Sequence, residues 1–171
     1  GLVNAFVLDG GFDAWKQGSC SIETIEDPKT PGNFTAAPSP ERVFSTKEIE
    51  QNLLTHRYLL LDARIEEVYL GASAGLDGKS GHIPGSVNHP NRLNVGTNGK
   101  FLDTDTLRQI FMHLSEGQPE RVIHTCGSGI AACGNLLAMR HAGLPSAGVY
   151  IGSFSAWISD PLHPLSTEDE G

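Results

Sequence analysis

Arg121-Val122-Ile123-His124-Thr125-Cys126-Gly127-Ser128-Gly129-Ile130-Ala131-Ala132 carries the strongest structural signal in the chain. An apolar run delivers a cysteine into a glycine-rich turn, and from Ile130 to His141 the pattern reads as a helix. Gly127 and Gly129 let the backbone fold tightly around the sulfur with N–H groups turned inward. The unpaired N–H groups and positive dipole end of the helix face the same sulfur. Such surroundings favour the thiolate, which is the nucleophilic form of cysteine. The competing reading is a small buried core cysteine.

Upstream, Ser45-Thr46-Lys47-Glu48 has the form of a capping box opening a helix to about Leu54, and Tyr58 to Leu61 is an apolar run ending at Asp62. Asp103-Thr104-Asp105 caps a helix to about Leu114, Val122 to His124 is the next strand, and Gly148 to Ile151 is the last. Strands separated by helices predict an α/β fold with a central, mostly parallel sheet covered by helices on both faces. Ligands of such folds bind beyond the carboxyl ends of strands, and Cys126 lies at one.

Composition narrows the function classes. The chain has 171 residues, 39% hydrophobic and 19% charged, with a net charge of −8, an ordinary globular composition. The acidic balance argues against nucleic-acid and anionic-membrane partners, so an anionic substrate must be drawn in by local dipoles or single arginines. No apolar run approaches the roughly 20 residues of a membrane span. Three cysteines, Cys20, Cys126 and Cys133, are too few and too oddly numbered for a disulfide framework, which fits a reducing, cytoplasmic setting. Cys126 and Cys133 lie two helical turns apart, which argues against a disulfide or shared metal between them and makes Cys133 a core residue of the helix.

The ends of the chain are related. Phe6-Val7-Leu8-Asp9-Gly10-Gly11-Phe12-Asp13-Ala14-Trp15 matches Gly148-Val149-Tyr150-Ile151-Gly152-Ser153-Phe154-Ser155-Ala156-Trp157 at Val, Gly, Phe, Ala and Trp, always 142 residues apart. Each copy reads as a short apolar strand, a glycine turn and a short helix carrying Phe and Trp. The second copy closes a complete module. Residues 1–16 are therefore expected to be the tail of a preceding homologous domain, 17–40 an extended Pro-rich linker, and 41–171 a domain large enough for its own core.

Four segments in this order, Leu61-Asp62-Ala63-Arg64, Gly81-His82-Ile83-Pro84-Gly85-Ser86-Val87-Asn88, the Cys126 loop and Gly152-Ser153-Phe154-Ser155-Ala156-Trp157, resemble the rhodanese superfamily of sulfurtransferases. The layout looks like its two-domain thiosulfate and 3-mercaptopyruvate group, in which the second domain carries the active cysteine. The wording Cys126-Gly127-Ser128-Gly129 is similar to the mercaptopyruvate type. The resemblance implies that Cys126 takes sulfur from a small sulfur-containing anion, holds it as a persulfide, and passes it to a thiol, cyanide or a thioredoxin-like protein. It implies that Ser128 assists the donor and that Gly127, Gly129, Ile130 and Ala131, through loop N–H groups, and Arg64 form the binding site. No cofactor and no metal is expected. A preceding rhodanese-like domain, or a bound fragment of one, is the expected partner that completes the cleft.

The chain departs from that pattern at one point. Mercaptopyruvate-type members carry an arginine at the position of Val68, and Val68-Tyr69-Leu70-Gly71 with the following Ala72 to Asp77 supplies no cation. Arg64 and Arg92 are the alternative cations, and His124 shares strand parity with Cys126. Ser128 also reads as a turn serine capping the helix. Two other functions stay open. A non-catalytic rhodanese-like interaction module accounts for the missing arginine. A cysteine-dependent phosphatase or arsenate reductase needs an arginine closing the loop, where this chain has Ala131, Ala132 and Cys133.

Overall fold

Leu59-Leu60-Leu61-Asp62 is apolar at three of four positions and Val122-Ile123-His124-Thr125 opens on two apolar residues, and all but Leu59 are buried, as in strands covered on both faces. In the computed structural model they form the central strands β1 (Leu59–Asp62) and β3 (Val122–Thr125) of a four-stranded sheet. The structure describes residues 5–24, 32, 33, 35, 37, 42–75, 78 and 80–167. Half of the Pro-rich stretch 17–40, together with Leu76 and Asp77, lies outside the described residues.

The sheet runs β2-β1-β3-β4 and every pairing is parallel, with β2 at Ser86–Asn88 and β4 at Gly148–Val149. Leu60 lies opposite Ile123 and Leu61 opposite His124. β2 is a strand that no apolar run announces. It has one large apolar residue, and pairing with β1 makes it a strand. β4 is shorter than the apolar pattern predicts because the chain turns after Tyr150, whose N–H still donates to the His124 carbonyl at 2.9 Å.

Helices cover both faces, as the alternation of elements predicts. On one face Leu60 and Ile123 pack with Phe44, with Ile49 of α2 (Thr46–Thr55) and with Phe154 and Trp157 of α6 (Ser153–Trp157). On the other, Leu61 and Val122 pack with Leu107 and Phe111 of α4 (Thr104–Leu114) and Ala138 and Met139 of α5 (Ile130–His141). The start signals work as read: Ser45 and Glu48 form the reciprocal capping box, and Asp103 accepts the Thr106 N–H at 2.9 Å. Each cap is worth about 1 kcal/mol. Among the described residues no helix is long and apolar enough to cross a membrane.

The two repeat copies meet different fates. In the second, Phe154 and Trp157 are buried. In the first, residues 5–8 form no strand, and Phe12, on α1 (Gly11–Gln17), is 60% exposed. Asp9 is nevertheless tied to the body, accepting the Phe101 N–H at 3.0 Å.

After α6 the chain crosses back toward α3 (Glu66–Tyr69). Trp157 Nε1–H donates to the Pro164 carbonyl at 2.9 Å, and His163 stacks on the indole at 4.0 Å. His82 and Ser166 exchange backbone hydrogen bonds of 2.8 and 2.9 Å. Gly81 has φ +94 and a Cβ there would fall 2.6 Å from the Ser166 carbonyl oxygen, so only glycine permits this crossing. The strap fixes the turn whose Gly81 carbonyl is used below.

Candidate active site

β3 ends at Thr125, and Cys126 begins a loop at the carboxyl end of the sheet. The side chain is 2% exposed and packs with Ala63, Ala132 and Val149. The Gly129 N–H donates to Cys126 Sγ at 3.1 Å. That turn needs glycine at 129: φ is +90, and a Cβ would meet the Ile151 carbonyl oxygen at 2.7 Å. Gly127 is not in the left-handed region, so the backbone freedom expected of both glycines is used only at 129.

Helix α6 explains why the loop amides are left to the sulfur. The N–H groups of Phe154 and Ser155 donate to the carbonyls of Cys126 and Gly127, both at 2.9 Å, and the Ser155 hydroxyl donates to the Gly127 carbonyl at 2.8 Å. With these carbonyls drawn toward α6, the opposite side of the peptide units carries N–H groups. α5 adds to this. Its N-cap is Gly129, with no side-chain cap, so the first-turn N–H groups at Ile130, Ala131 and Ala132 keep their charge for an anion at the sulfur.

Ser153 completes the pocket, and sequence reasoning passed over it. Its hydroxyl oxygen accepts the Cys126 N–H at 3.2 Å, its proton reaches the Tyr150 carbonyl at 2.8 Å, and Cys126 Sγ is 3.9 Å away. Ser153 is fully buried with φ +52, a strained conformation for a residue with a side chain. The repeat held the signal. The equivalent position in the first copy is Gly11, also left-handed at φ +61, so serine stands where the turn itself asks for glycine.

The remaining sequence candidates separate clearly. Ser128 is exposed and caps nothing, since Gly129 is the N-cap and lacks a side-chain cap bond; the capping reading is overturned. Ile130 is 82% exposed beside the loop and Ala131 is half-buried. Arg64 lies beneath the loop with its Cδ 3.9 Å from where a Gly127 Cβ would stand. Its Nη2 donates to Asp62 at 2.7 Å and to the Gly81 carbonyl at 2.9 Å, and its guanidinium sits 4.0 Å over the Phe154 ring. The side chain is 9% exposed.

Two expectations are corrected. Cys133 is exposed, because α5 buries Ala132, Asn135, Ala138 and Met139 and position 133 falls off that stripe. His124 is not available as a charged neighbour of the sulfur. It is fully buried with neither ring nitrogen hydrogen-bonded, and burial, with His89 nearby, holds its pKa down at about 3. A neutral imidazole lends Cys126 no positive charge. His89 itself closes a polar ring, His89 Nε2 to Asn94 Oδ1 at 2.9 Å, Asn94 to Asn135 at 2.7 Å and Asn135 to the His89 carbonyl at 2.9 Å.

A cavity of about 660 Å³ lined by His56, Tyr58, Leu59, Val87 and Arg121 opens at the amino ends of the strands, away from Cys126. It belongs to the other pole of the sheet. The chemistry converges at the carboxyl pole, where a buried sulfur meets a glycine-turn amide and a helix N-terminus.

A parallel α/β sheet with a cysteine loop cradled at its carboxyl edge defines the class. The Rhodanese-like domain model matches residues 45–160, and the chain belongs to that family. A protein of Pseudomonas aeruginosa named "Probable 3-mercaptopyruvate sulfurtransferase" is 36% identical over 165 residues, covering 96% of this chain and 58% of that relative. The thiosulfate sulfurtransferase of Rattus norvegicus is 33% identical over 157 residues, covering 89% of this chain and 52% of its own length. The chain thus spans little more than half of these relatives. The structure of an anaerobic ergothioneine biosynthesis enzyme from Chlorobium limicola superimposes with a TM-score of 0.81 at 21% identity, over 94% of this chain and 40% of that one, a likeness of fold.

Proposed function

We propose that this chain carries the catalytic module of a sulfurtransferase, with Cys126 as the nucleophile. The observation that carries the reading is the Gly129 N–H aimed at Cys126 Sγ at 3.1 Å, at the uncapped start of α5. An N–H donor and a helix N-terminus stabilise negative charge on sulfur, both in the thiolate and in a persulfide.

The thiolate attacks the sulfur of a small donor anion. A Cys126 S–S bond forms, the donor's bond to that sulfur breaks, and its electron pair leaves with the remainder of the donor. A thiol, cyanide or small redox protein then takes the outer sulfur and regenerates the thiolate. Splitting one difficult transfer into two steps is the gain of covalent catalysis. The names of the relatives support 3-mercaptopyruvate or thiosulfate as the donor.

Ser153 holds the Cys126 N–H and has one proton for two acceptors, the Tyr150 carbonyl and the sulfur. Ser128 is assigned to the donor, a role its exposure at the loop supports. The loop N–H groups from Gly127 to Ala131 form the anion cradle. Arg64 is assigned a holding role, since Asp62 and Gly81 already occupy it.

Intact-mass measurement after incubation of the full chain with thiosulfate or 3-mercaptopyruvate tests the reading. One added sulfur atom is expected in the wild type and none in Cys126→Ser. The absence of any adduct with either donor sinks it in favour of a non-catalytic binding module, and aryl-phosphate hydrolysis dependent on Cys126 sinks it in favour of a phosphatase.

A further inference from the structure

We infer that Arg92 is the anchor for the anionic end of the sulfur donor, a specificity role that deepens the sulfur-transfer reading and rests on it.

The need for an anchor comes from the charge balance. A chain of net charge −8 must attract an anion to a nearly enclosed sulfur, and the stretch Val68-Tyr69-Leu70-Gly71 offers no cation for it. Arg64 is nearest in sequence but is spent. Its Nε and Nη2 bind Asp62, Nη2 also binds the Gly81 carbonyl, and the one unpaired nitrogen, Nη1, is sealed from solvent, so a donor cannot reach it.

Arg92 is placed differently. It lies on the 3₁₀ turn Asn91–Asn94 that follows β2 at the carboxyl edge. The Ala63 N–H donates to the Thr125 carbonyl at 2.9 Å, and the Asn91 N–H donates to the Ala63 carbonyl at 3.1 Å. The backbone at 91 therefore runs beside 63, which runs beside 125. Two steps of about 4.8 Å put Asn91 about 10 Å from the root of the Cys126 loop. From the helix side, a Cβ at Gly134 would lie 3.2 Å from Asn91 Nδ2, and Asn94 binds Asn135, so this turn lies against the second turn of α5.

An extended arginine side chain directed along that row from one residue further on would leave a gap that a small donor fills. Arg92 is exposed, its carbonyl accepts the Val95 N–H at 3.3 Å within the turn, and among the described residues its guanidinium makes no hydrogen bond and no ion pair. Its base is fixed by the His89-Asn94-Asn135 ring. A free guanidinium on a rigid base matches a carboxylate or sulfonate bidentately. The donor then bridges two positive features, its anionic end on Arg92 and its sulfur under the loop amides.

Second-order rates of persulfide formation on Cys126, measured by intact mass with 3-mercaptopyruvate and with thiosulfate in the full chain, test the assignment. Arg92→Ala is expected to lower them about ten- to a hundredfold, the effect of one charged hydrogen bond. Arg92→Glu lowers them further, Arg92→Lys recovers part, and the rate at saturating donor changes little. Wild-type loading with Arg92→Ala unaffected overturns the anchor and leaves sulfur transfer standing. A wild type that loads from neither donor overturns both.

Discussion

Ser153 Oγ accepts the backbone N–H of Cys126 at 3.2 Å and lies 3.9 Å from its sulfur, while the serine backbone is held at φ +52. A side chain in the left-handed region costs of order 1 kcal/mol or more relative to glycine. The structure keeps it where its repeat partner, Gly11, has no side chain. The hydroxyl is what offsets that strain.

Two substitutions at 153 separate strain from chemistry. Ser153→Ala leaves the buried Cys126 N–H unpaired and is expected to cost about 1–3 kcal/mol in denaturant unfolding. Ser153→Gly loses the same bond but relieves the backbone, so it is the more stable of the two. Both are expected to slow persulfide formation on Cys126 alike. A Ser153→Ala protein that loads sulfur at the wild-type rate removes the hydroxyl from the chemistry.

Gly129→Ala attacks the loop through its backbone. The new Cβ would lie 2.7 Å from the Ile151 carbonyl oxygen at φ +90, so the turn must shift. A loss of about 2–4 kcal/mol is expected, together with loss of the Gly129 N–H from the sulfur and of persulfide formation. Gly127→Ala is the control. Its Cβ would meet Arg64 Cδ only at 3.9 Å, so unfolding midpoints near wild type are expected.

Asp62 and Arg64 form a buried pair, 1% and 9% exposed, beneath the loop. Asp62→Asn leaves the guanidinium charge uncompensated, and about 3–5 kcal/mol is the expected loss. Asp62→Leu with Arg64→Met in one chain is expected to recover much of it, because the unpaired charge is gone. Chemical denaturation of the three proteins checks the order. A double variant less stable than Asp62→Asn contradicts it.

Acid stability follows from His124. Its pKa is held at about 3 in the folded protein by burial, against an ordinary 6.5, so on acidification the unfolded chain takes up a proton that the folded one refuses. The contribution is whole above pH 6.5 and is lost as the pH falls from there toward 3, at up to about 1.4 kcal/mol per pH unit. Melting temperatures across that window should fall less steeply for His124→Leu than for wild type. Parallel curves would place the acid sensitivity elsewhere.

The longer helices were legible because their signals are local, whereas α3, four residues with no side-chain cap, was not. The Ser45–Glu48 box, the Asp103 cap and the run from Ile130 to His141 each act within a few residues, and the elements formed where they predicted. β2 was not legible, because one large apolar residue in three gives no period and only the neighbour β1 makes it a strand. Cys133 was misplaced because a helix of weak amphipathic contrast leaves the buried stripe undetermined by sequence. The parity of His124 and Cys126 gave the histidine no charged role, because burial keeps its imidazole neutral.

The sequence by itself determined the class of fold and the cysteine loop, since a strand, a glycine turn and a helix start occupy adjacent residues from Val122 to Ile130 and need no distant partner. What surrounds the sulfur is set by contacts between distant segments. Ser153 arrives from 27 residues away, through the parallel return of β4 beside β3. Arg64 is withdrawn from solvent by Asp62 and by a Gly81 turn held in place by Ser166. Arg92 stays exposed on the turn after β2. Local patterns fix backbone conformation, but which side chains are satisfied and which remain available depends on contacts between segments that are remote in sequence.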